Sequence, residues 1–392
     1  MKKILYIYHT SAIGGGSYCL LNILKELDRS RFEASVLLAN NGPLVEEIRK
    51  LNIDVFFYDR IQSVPYNSTL LKPKRIWNLS MLQLHFQEYV KVVKTIKPDI
   101  VYVNSMMLYP FLFIKKYYDC KTIIHIREHW PEGEHKWQRG FAESTIAKYA
   151  DEVIAINRYS AGMFNSLKDR CKVVYDWIDL NQRNQNFTLH QVFDDLTNDT
   201  KVFLFTGGYV PIKGLRDVLM SFSHIDRRDI RLLLLGQPPA ESFTGLRRLK
   251  KYSQIIRGRK TYIQEVKELI EADNRIKCIP GTYNIKQILE LCSCMVSFFK
   301  IPHANLALAE CIIAGTPVIA ADTEEAREYS ADGNAAMLFD FDSSDSFIAN
   351  VLNYLSQPEL ENTRVRKYSA EVKNLFDPRR NAKILDKIYS NI

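Results

Sequence analysis

The chain lacks any run of about 18 apolar residues, so we expect no transmembrane helix. Its apolar N-terminal stretch stops at Tyr8, which is too short for the hydrophobic region of a secretory signal peptide. These absences predict a cytoplasmic globular protein, in agreement with 46% hydrophobic and 25% charged residues. At 392 residues the chain is too long for one core and suits two domains of about 150–200 residues each.

Cysteine pairs suited to disulfide or metal chemistry are also lacking. The seven cysteines are an odd number, lie mostly in apolar runs and include no C-x-x-C pair. This pattern favours small buried hydrophobic side chains over metal ligands. No helix-turn-helix, zinc-finger or aromatic RNA-binding signature accompanies the net charge of +8, so we expect no nucleic-acid partner. The densest basic segment, Arg247–Lys260, is interpreted as a solvated face or as a contact for an anionic membrane.

Short apolar runs alternate with amphipathic stretches along the whole chain. Strands that are buried on both sides and separated by helices predict α/β domains with doubly wound parallel sheets. The longest predicted helix, Arg75–Ile96, has apolar residues at spacings of three or four. The predicted strands are Ile4–Tyr8, Ala34–Leu38, Val55–Tyr58, Ile100–Val103, Thr122–Ile126, Glu152–Ile156, Lys172–Tyr175, Lys201–Thr206, Arg231–Leu235, Lys277–Ile279, Met295–Phe299, Pro317–Ala321 and Ala336–Phe339.

A polar segment, Asp179–Thr200, interrupts this alternation and has no strong hydrophobic period. We therefore expect an N-terminal sheet domain at 1–178, an interdomain segment at 179–200 and a C-terminal sheet domain at 201–375. A terminal helix at 376–392 could pack back on the N-terminal domain. Two such sheets would face each other across a cleft formed by the carboxyl ends of their strands, where such folds bind ligands.

Two glycine-rich loops each follow a buried strand and precede a helix. The first contains Gly14, Gly15, Gly16 and Ser17, but it matches neither the G-x-G-x-x-G fingerprint nor a P-loop. A flexible turn is the alternative to a ligand site there. The second runs from Thr206 to Arg216 and carries Lys213, which could hold a phosphate chain as a point charge.

The segment Ser297–Ala321 predicts a strand, a loop, a helix, a turn and a second strand. The helix carries one carboxylate, Glu310, on an otherwise apolar stretch, and the loop before it offers backbone N–H groups to an anion. This combination suits a nucleotide sugar, which has phosphates at one end and hydroxyls at the other. An ordinary crossover with Glu310 at a solvated edge is an equal alternative.

A polar cluster, His125-Ile126-Arg127-Glu128-His129, closes a strand in the first half. The two histidines have a spacing that binds metal on a helix, but the preceding strand and the following Pro131 argue against a helix. Contact with an acceptor or a sugar fits this position better than a metal site does. A plain surface loop is an equal alternative to that contact.

Together these segments resemble the family-4 retaining glycosyltransferases of the GT-B fold over nearly the whole chain. The segment from His125 to Glu128 is similar to one in bacterial surface-polysaccharide members. The other matching residues are Gly207, Lys213-Gly214, Gly236, Gly281 and Glu310 with Ala314–Ile319, and, more weakly, Gly14–Gly16, Ala150–Ile154 and Val173–Asp179.

The resemblance implies two Rossmann-like domains, the first for the acceptor and the second for the nucleotide sugar. It implies that Lys213 binds the donor diphosphate, that Glu310 holds the ribose hydroxyls and that His125 lies near the transferred sugar; these three are the catalytic candidates. The remaining donor-binding candidates are Gly15, Gly16, Gly207, Gly208, Gly281, His303, Ala304, Asn305 and Leu306, and the acceptor or sugar contacts are Ser17, Arg127 and Glu128. The resemblance implies that no metal ion is needed, in agreement with the lack of a carboxylate pair suited to Mg²⁺. No cofactor is expected, because the UDP- or GDP-linked sugar is a substrate.

Two positions depart from the family pattern. Gly208 stands where the family has an arginine, and Pro302 stands where it has the first glutamate of a pair. Lys300, His303, Arg216 or Arg127 could compensate. The activity expected is transfer of a sugar to a hydroxyl of a glycan or lipid-linked acceptor in surface polysaccharide biosynthesis. The alternatives are a non-catalytic partner that binds nucleotide sugars and, third, a sugar epimerase.

The aromatic and basic stretch Tyr109–Tyr118 admits two interpretations. A core helix is slightly favoured over a peripheral contact with the inner face of an anionic membrane.

Overall fold

The computed structural model of the chain describes residues 1–65, 73–131, 133–180, 187–239, 260–282, 285–299, 301 and 304–392, with Lys74 described by its backbone alone. These residues form two compact units, one of Met1–Trp177 with Phe376–Ile392 and one of Ile178–Leu375. Within the described ranges, every helix is too short or too polar to cross a membrane.

The first unit is built on a sheet of seven parallel strands in the order β3-β2-β1-β4-β5-β6-β7. The strands are β1 (Lys2–Ile7), β2 (Phe32–Leu38), β3 (Asp54–Phe57), β4 (Ile100–Val103), β5 (Lys121–Ile126), β6 (Glu152–Ala155) and β7 (Cys171–Val173). The helices are α1 (Gly15–Glu26), α2 (Pro43–Lys50), α3 (Pro73–Leu84), α4 (Phe86–Ile96), a 3-10 helix (Met106–Lys116), α5 (Lys136–Tyr149) and α6 (Arg158–Ala161).

The second unit repeats this plan with six parallel strands in the order β10-β9-β8-β11-β12-β13. The strands are β8 (Lys201–Phe205), β9 (Ile230–Leu235), β10 (Ile276–Ile279), β11 (Cys294–Ser297), β12 (Val318–Ala321) and β13 (Met337–Phe339). The helices are α7 (Leu215–Ser223), α8 (Tyr262–Ala272), α9 (Ile285–Leu291), α10 (Leu306–Ala314), α11 (Glu324–Tyr329), α12 (Ser344–Ser356) and α13 (Pro358–Leu375), with 3-10 turns at Leu189–Gln191 and Pro211–Lys213.

The predicted fold class is confirmed, and every predicted strand is present. Central strands such as β4, with the sequence I-V-Y-V, have every residue buried because helices cover both faces of the sheet. The first unit has one apolar core on each face of its sheet. A further core, centred on Phe203, Leu232 and Ile319, lies in the second unit.

The prediction of one helix over Arg75–Ile96 is wrong, because the segment forms two helices that meet at His85. The hydroxyl of Tyr58, which follows β3, donates to the His85 carbonyl at 2.9 Å. The same carbonyl accepts from the Glu88 backbone N–H at 3.0 Å. This bond joins residues three apart in sequence, as in a 3-10 helix, whereas α-helical bonds join residues four apart. A contact with a residue far away in sequence therefore interrupts a periodicity that is continuous in the sequence itself.

The last helix, α14 (Pro378–Asn391), belongs to the first unit. It begins after Asp377, whose side chain accepts from the Arg380 backbone N–H at 2.8 Å. Leu385, Ile388 and Tyr389 are buried in the core that also contains Tyr6 and Tyr102. The helix therefore completes one face of the first sheet.

Two further segments are placed by packing rather than by their composition. In 179–200, Phe193 is buried and Asp195 pairs with Arg231, so the described part of this segment packs with the second unit. In the stretch Tyr109–Tyr118, Tyr109 and Phe111 are buried in the first unit's core, as the favoured interpretation predicts. The basic segment Arg247–Lys260 lies outside the described residues except for Lys260.

Candidate functional site

In the first sheet the chain order changes direction between β1 and β4. Strand β1 pairs with β2 on one side and with β4 on the other, so the loops that follow β1 and β4 lead away from each other. Open α/β sheets bind ligands at such a point, outside the carboxyl ends of the strands. The loop before α1 lies at this edge, together with Gly15 and Gly16 in the first turn of that helix and with Asn104 and Ser105.

The first glycine loop is closely packed on one side and open on the other. A Cβ on Gly16 would lie 2.5 Å from the Tyr8 hydroxyl, whereas no atom lies within 4 Å of a Cβ on Gly15. Ser17 is buried, and its hydroxyl donates to the Ala12 carbonyl at 2.6 Å. Ser17 therefore holds the loop in shape, and Gly15 presents bare backbone at the start of α1.

Arg127 follows β5 and forms a buried ion pair with Asp176. The guanidinium donates to both Asp176 oxygens at 2.8–2.9 Å and to the Asn104 side-chain oxygen at 2.8 Å. The two charged side chains are 8% and 6% exposed. These contacts tie together the segments that follow β4, β5 and β7, so Arg127 positions the edge of the sheet.

Glu128 fixes the turn after β4. One carboxylate oxygen accepts from the Ser105 hydroxyl and the other from the Met106 backbone N–H at 2.9 Å. Burial raises the pKa of the Glu128 carboxyl, while these hydrogen bonds oppose the shift. Like Ser17 and Arg127, Glu128 is engaged with protein groups, and contact of these three residues with an acceptor stays a prediction.

His125 lies inside β5, with 1% of its surface exposed. Its Nδ1 lies 2.6 Å from the Tyr102 hydroxyl. Its Nε2 has no hydrogen-bond partner among the described residues. Burial, assisted by the Arg127 charge, holds the pKa of His125 well below its usual range, so the ring is neutral. A neutral ring held at Nδ1 can offer Nε2 to a hydroxyl group of a ligand.

The second sheet has the same change of direction between β8 and β11. The loop after β8 contains Gly207 and Gly208, and it ends at Gly214 with φ of +72°. A Cβ on Gly214 would lie 2.2 Å from the Phe298 carbonyl oxygen, in the segment that follows β11. The two loops therefore pack directly against each other at the carboxyl edge of the sheet.

Lys213 is held within this packed pair of loops. Its ammonium lies 4.3 Å from the centre of the Phe299 ring. Burial lowers the pKa of Lys213 to about 8. Within the described residues no carboxylate forms an ion pair with it, so the charge is available to an anion at this edge.

Helix α10 begins at the same edge. The Asn305 side chain donates to the Ser297 hydroxyl at 2.7 Å, which connects the start of the helix to the end of β11. Ala304 precedes this residue, and the backbone of Leu306 opens the helix. One turn further, burial raises the pKa of Glu310 to about 7, and no described residue neutralises its charge.

The remaining predicted positions are placed as follows. Gly281 follows β10, and no atom lies within 4 Å of the position of a Cβ on it. Arg216 forms an exposed ion pair with Glu265 at 2.9 Å, and its compensation for the missing arginine stays a prediction. His303, Lys300 and Pro302 lie outside the described residues.

The two histidines of the polar cluster do not converge. His129 stacks on Tyr159 with ring centres 4.1 Å apart, while His125 bonds to Tyr102. In the part of the chain that the structure describes, no three His, Cys, Asp or Glu side chains are grouped as metal ligands would be.

Sequence reasoning missed several residues that support these sites. Asp176, Asn104 and Tyr102 hold Arg127 and His125, while Phe298 and Phe299 support the Lys213 loop. Asn104 could have been found from the sequence, because it is the first polar residue after the fully buried strand β4. Strand β4 lies beside β1, which precedes the first glycine-rich loop. The other pairs depend on contacts between distant segments.

Two family models match the chain in succession. The family described as Glycosyltransferase Family 4 matches residues 13–182, and the family described as Glycosyl transferases group 1 matches residues 190–372. Together they cover most of both units. No curated protein sequence matches the chain.

Several solved structures are similar over the full chain. Anabaena HepE in complex with UDP and glucose is 18% identical over 100% of both chains, with a TM-score of 0.78. A glycosyltransferase from Rickettsia africae is 16% identical over 100% of this chain and 98% of its own, with a TM-score of 0.72. Sucrose-phosphate synthase from Thermosynechococcus elongatus is 14% identical over 100% of this chain and 99% of its own, with a TM-score of 0.73.

Proposed function

The chain belongs to the family-4 glycosyltransferases of the GT-B fold, and from this premise we propose that it transfers a sugar with retention of its anomeric configuration. The donor is a nucleoside-diphosphate sugar, and the acceptor is a hydroxyl of a glycan or a lipid-linked glycan in surface polysaccharide biosynthesis. The observation that carries the proposal is Lys213, which is half-buried against the Phe299 ring in the loop after β8 and has no carboxylate partner in the described residues.

In the second unit, the proposed role of Lys213 is to bind the donor diphosphate. Backbone N–H groups of Asn305 and Leu306 add to this site because a helix N-terminus favours an anion. Glu310 is proposed to accept from the ribose hydroxyls, which would stabilise the carboxylate that burial disfavours. Anabaena HepE has been solved with UDP, which supports a uridine nucleotide as the donor base here. GDP is the second candidate.

In the first unit, Gly15 and Gly16 are proposed to lie under the donor phosphates and the acceptor. His125 is proposed to contact the transferred sugar through Nε2, because Tyr102 holds the other ring nitrogen. Ser17, Arg127 and Glu128 keep these groups in place through the contacts described above.

In the reaction the bond between the anomeric carbon and the diphosphate oxygen breaks, and the electron pair leaves with the diphosphate. The acceptor oxygen bonds to the anomeric carbon on the same face, and its proton passes to a diphosphate oxygen. Lys213 and the α10 N-terminus stabilise the charge of the leaving group, and this electrostatic stabilisation is the main contribution that we assign to the protein. No carboxylate base and no metal ion is required in this scheme.

The test is incubation with UDP-, GDP- and ADP-linked sugars and a lipid-linked glycan acceptor. We expect release of the nucleoside diphosphate and, by NMR, a product with the anomeric configuration of the donor. Lys213→Ala should lower turnover about 100-fold or more. Lys260→Ala, which removes an exposed lysine paired with Glu268 in the same unit, should have no effect.

Three outcomes would contradict parts of the proposal. An inverted product would exclude the retaining mechanism. Binding of donor without turnover on any acceptor would favour the non-catalytic alternative, for which Gly208 and Pro302 are the sequence evidence. Conversion of the donor sugar without an acceptor would indicate an epimerase.

A further inference from the structure

Two buried nitrogen atoms at the carboxyl edge of the first sheet lack hydrogen-bond partners. They are Nδ2 of Asn104 and Nε2 of His125, which have no partner among the described residues. Asn104 is 0% exposed and His125 is 1% exposed. Nearly all buried polar groups in proteins are hydrogen-bonded, so two unpaired ones at one edge point to a partner that comes from outside the chain.

The strand register places these two side chains beside each other. Val103 of β4 pairs with Ile124 of β5, and Asn104 and His125 are the next residues along the two segments. Side chains alternate between the faces of a strand, so Asn104 lies on the same face as Tyr102, the residue that bonds to His125. The two unpaired nitrogen atoms therefore belong to one face of the sheet.

The first glycine-rich loop lies at the same place. Ile7 of β1 pairs with Val103, so the next residue, Tyr8, continues β1 beside Asn104. Tyr8 and Tyr102 are buried in the same core. The Tyr8 hydroxyl lies 2.5 Å from the position of a Cβ on Gly16. One tyrosine side chain thus connects the glycine loop with the face that carries the two unpaired atoms.

The amide group of Asn104 has one possible orientation. The Nε–H of Arg127 donates to the side-chain oxygen of Asn104 at 2.8 Å. A guanidinium group has donors and no acceptor, so the atom that faces it is the oxygen and not the nitrogen. The NH₂ group of Asn104 is consequently a donor that no described residue accepts from.

The proton of the neutral His125 ring also has a preferred place. Nδ1 lies 2.6 Å from the Tyr102 hydroxyl. A phenol is the better proton donor and a bare imidazole nitrogen the better acceptor, so the hydroxyl donates to Nδ1. A hydrogen bond joins Tyr102 to Tyr389, and the Tyr6 hydroxyl donates to that of Tyr389 at 3.3 Å, so this chain of hydroxyl groups ends at the ring. Nε2 then carries the ring proton and is a donor.

We propose that Asn104 contacts the transferred sugar together with His125, that both donate to one oxygen of that sugar, and that Tyr102 is the positioning residue that keeps the ring proton on Nε2. The inference deepens the proposed function and rests on it. The sugar has to supply an oxygen that accepts two hydrogen bonds. A hydroxyl, an acetamido carbonyl and a carboxylate share this chemistry, and a panel of sugar donors distinguishes them.

Calorimetric titration compares UDP with UDP-glucose, UDP-N-acetylglucosamine and UDP-glucuronate, and GDP with GDP-mannose. The ratio of the two affinities in each comparison isolates the part of the molecule that carries the sugar. Asn104→Asp keeps an oxygen for Arg127 and replaces only the NH₂ group. It should lower the affinity for at least one sugar-linked form about tenfold and leave the affinity for the free nucleoside diphosphate unchanged.

Asn157→Asp is the matched control. Asn157 is also 0% exposed, and its side-chain oxygen accepts from the Ser160 backbone N–H at 2.7 Å. Aspartate caps a helix as well as asparagine does, so this variant should bind each sugar-linked form like the wild type. Thermal melting of both variants shows whether a loss of affinity reflects a loss of the fold.

NMR of the protein with nitrogen-15 histidine measures the tautomer of His125 without any ligand. The ring signals, assigned by their loss in His125→Phe, should show a protonated Nε2 and a bare Nδ1 at pH 7. In Tyr102→Phe the ring should exchange between both tautomers, because the donor to Nδ1 is gone. The affinity of this variant for the sugar-linked form should fall several-fold, with that for the free nucleoside diphosphate unchanged. A merely structural role of Tyr102 would leave the tautomer as it is in the wild type.

Three results would overturn the inference. The first is a wild-type His125 ring with its proton on Nδ1. The second is an Asn104→Asp variant that binds every sugar-linked form as the wild type does, because Asn104 would then hold only Arg127 or a structural water. The third is an equal loss of affinity for free and sugar-linked nucleotides, which would indicate a general change of shape. A wild type that binds no nucleotide would contradict the proposed function itself, and this inference with it.

Discussion

Among single residues, Lys213 and Glu310 have pKa shifts in opposite directions with the same cause. Burial lowers the pKa of the lysine to about 8 and raises that of the glutamate to about 7. Both groups therefore titrate close to neutral pH before any ligand binds. A diphosphate would favour the protonated lysine, and ribose hydroxyls would favour the ionised glutamate.

The affinity for a nucleotide should therefore fall both at alkaline pH and at acidic pH. As pH rises through about 8, Lys213 loses its proton and UDP should bind more weakly. As pH falls through about 7, Glu310 gains a proton and UDP should again bind more weakly. Calorimetric titration of UDP between pH 6 and 9 measures both limbs.

The variant Lys213→Arg separates the two limbs, because arginine stays charged over this range. It should bind UDP with no alkaline loss while keeping the acidic limb. An alkaline loss of equal size in this variant would show that another group titrates.

Removal of one partner of the buried ion pair between Arg127 and Asp176 should lower the free energy of unfolding strongly. Asp176→Ala would leave a buried guanidinium without its carboxylate, so we expect a loss of about 3–5 kcal/mol in the free energy of unfolding. The double variant Arg127→Met/Asp176→Ala should lose less than the single one. Urea unfolding followed by tryptophan emission measures this, since all four tryptophans lie in the first unit. A double variant less stable than Asp176→Ala would contradict the account.

The sequence singles out candidate site residues where the choice depends only on what precedes and follows them in the chain. Lys213 and Glu310 could be chosen because each lies in or after a loop that follows a buried strand. The pairing of Arg127 with Asp176 could not be predicted, because 49 residues separate the two and only the fold brings them together. The same holds for the Phe299 ring next to Lys213.

Among helices and loops, the contact between the loop after β8 and the segment after β11 determines where Lys213 lies. Gly214 permits this contact, because its φ of +72° and the adjacent Phe298 carbonyl leave no room for a side chain. Gly208 also has a positive φ, of +67°, but no atom lies within 4 Å of a Cβ on it. A comparison of substitutions at the two glycines therefore separates the effect of a positive φ from the effect of close packing.

Gly214→Ala should destabilise the second unit by about 2–3 kcal/mol and weaken UDP binding, because the loop must move away from Phe298. Gly208→Ala should cost about 1 kcal/mol, from the conformation alone. Circular dichroism melting and UDP titration of the two variants provide the comparison. Equal effects on stability and affinity would show that the Phe298 contact is unimportant.

Strands were easier to predict than helices at this level. A strand buried on both faces is a continuous apolar run, so the strand ends differ from the prediction by at most two residues, as for β1. The break at His85 depends on the Tyr58 hydroxyl, which belongs to another segment of the chain. Periodicity within one stretch carries no information about such a contact.

For the chain as a whole, the C-terminal helix connects the end of the sequence to its first strand. Tyr389 is fully buried, its hydroxyl lies 3.3 Å from that of Tyr6, and its ring contacts Tyr102, the partner of His125. Residues 376–392 thus support both the core of the first unit and the orientation of a proposed site residue.

Tyr389→Ala should destabilise the first unit by about 3–5 kcal/mol, because it leaves a cavity of aromatic size in a packed core. Tyr389→Phe keeps the ring and removes the hydrogen bond with Tyr6, so it should cost about 1 kcal/mol. Urea unfolding followed by tryptophan emission again reports on this unit. A small effect of the alanine variant would mean that the helix contributes little to the core.

The central claim is that the second unit holds a nucleoside diphosphate at the carboxyl edge of β8 and β11. Its most direct test is calorimetric titration of UDP and GDP into the wild type, Lys213→Ala and the control Lys260→Ala at pH 7.5. We predict saturable binding of at least one nucleotide, a loss of about 10- to 100-fold in Lys213→Ala and no change in the control. Equal affinity of Lys213→Ala and the wild type would contradict the account.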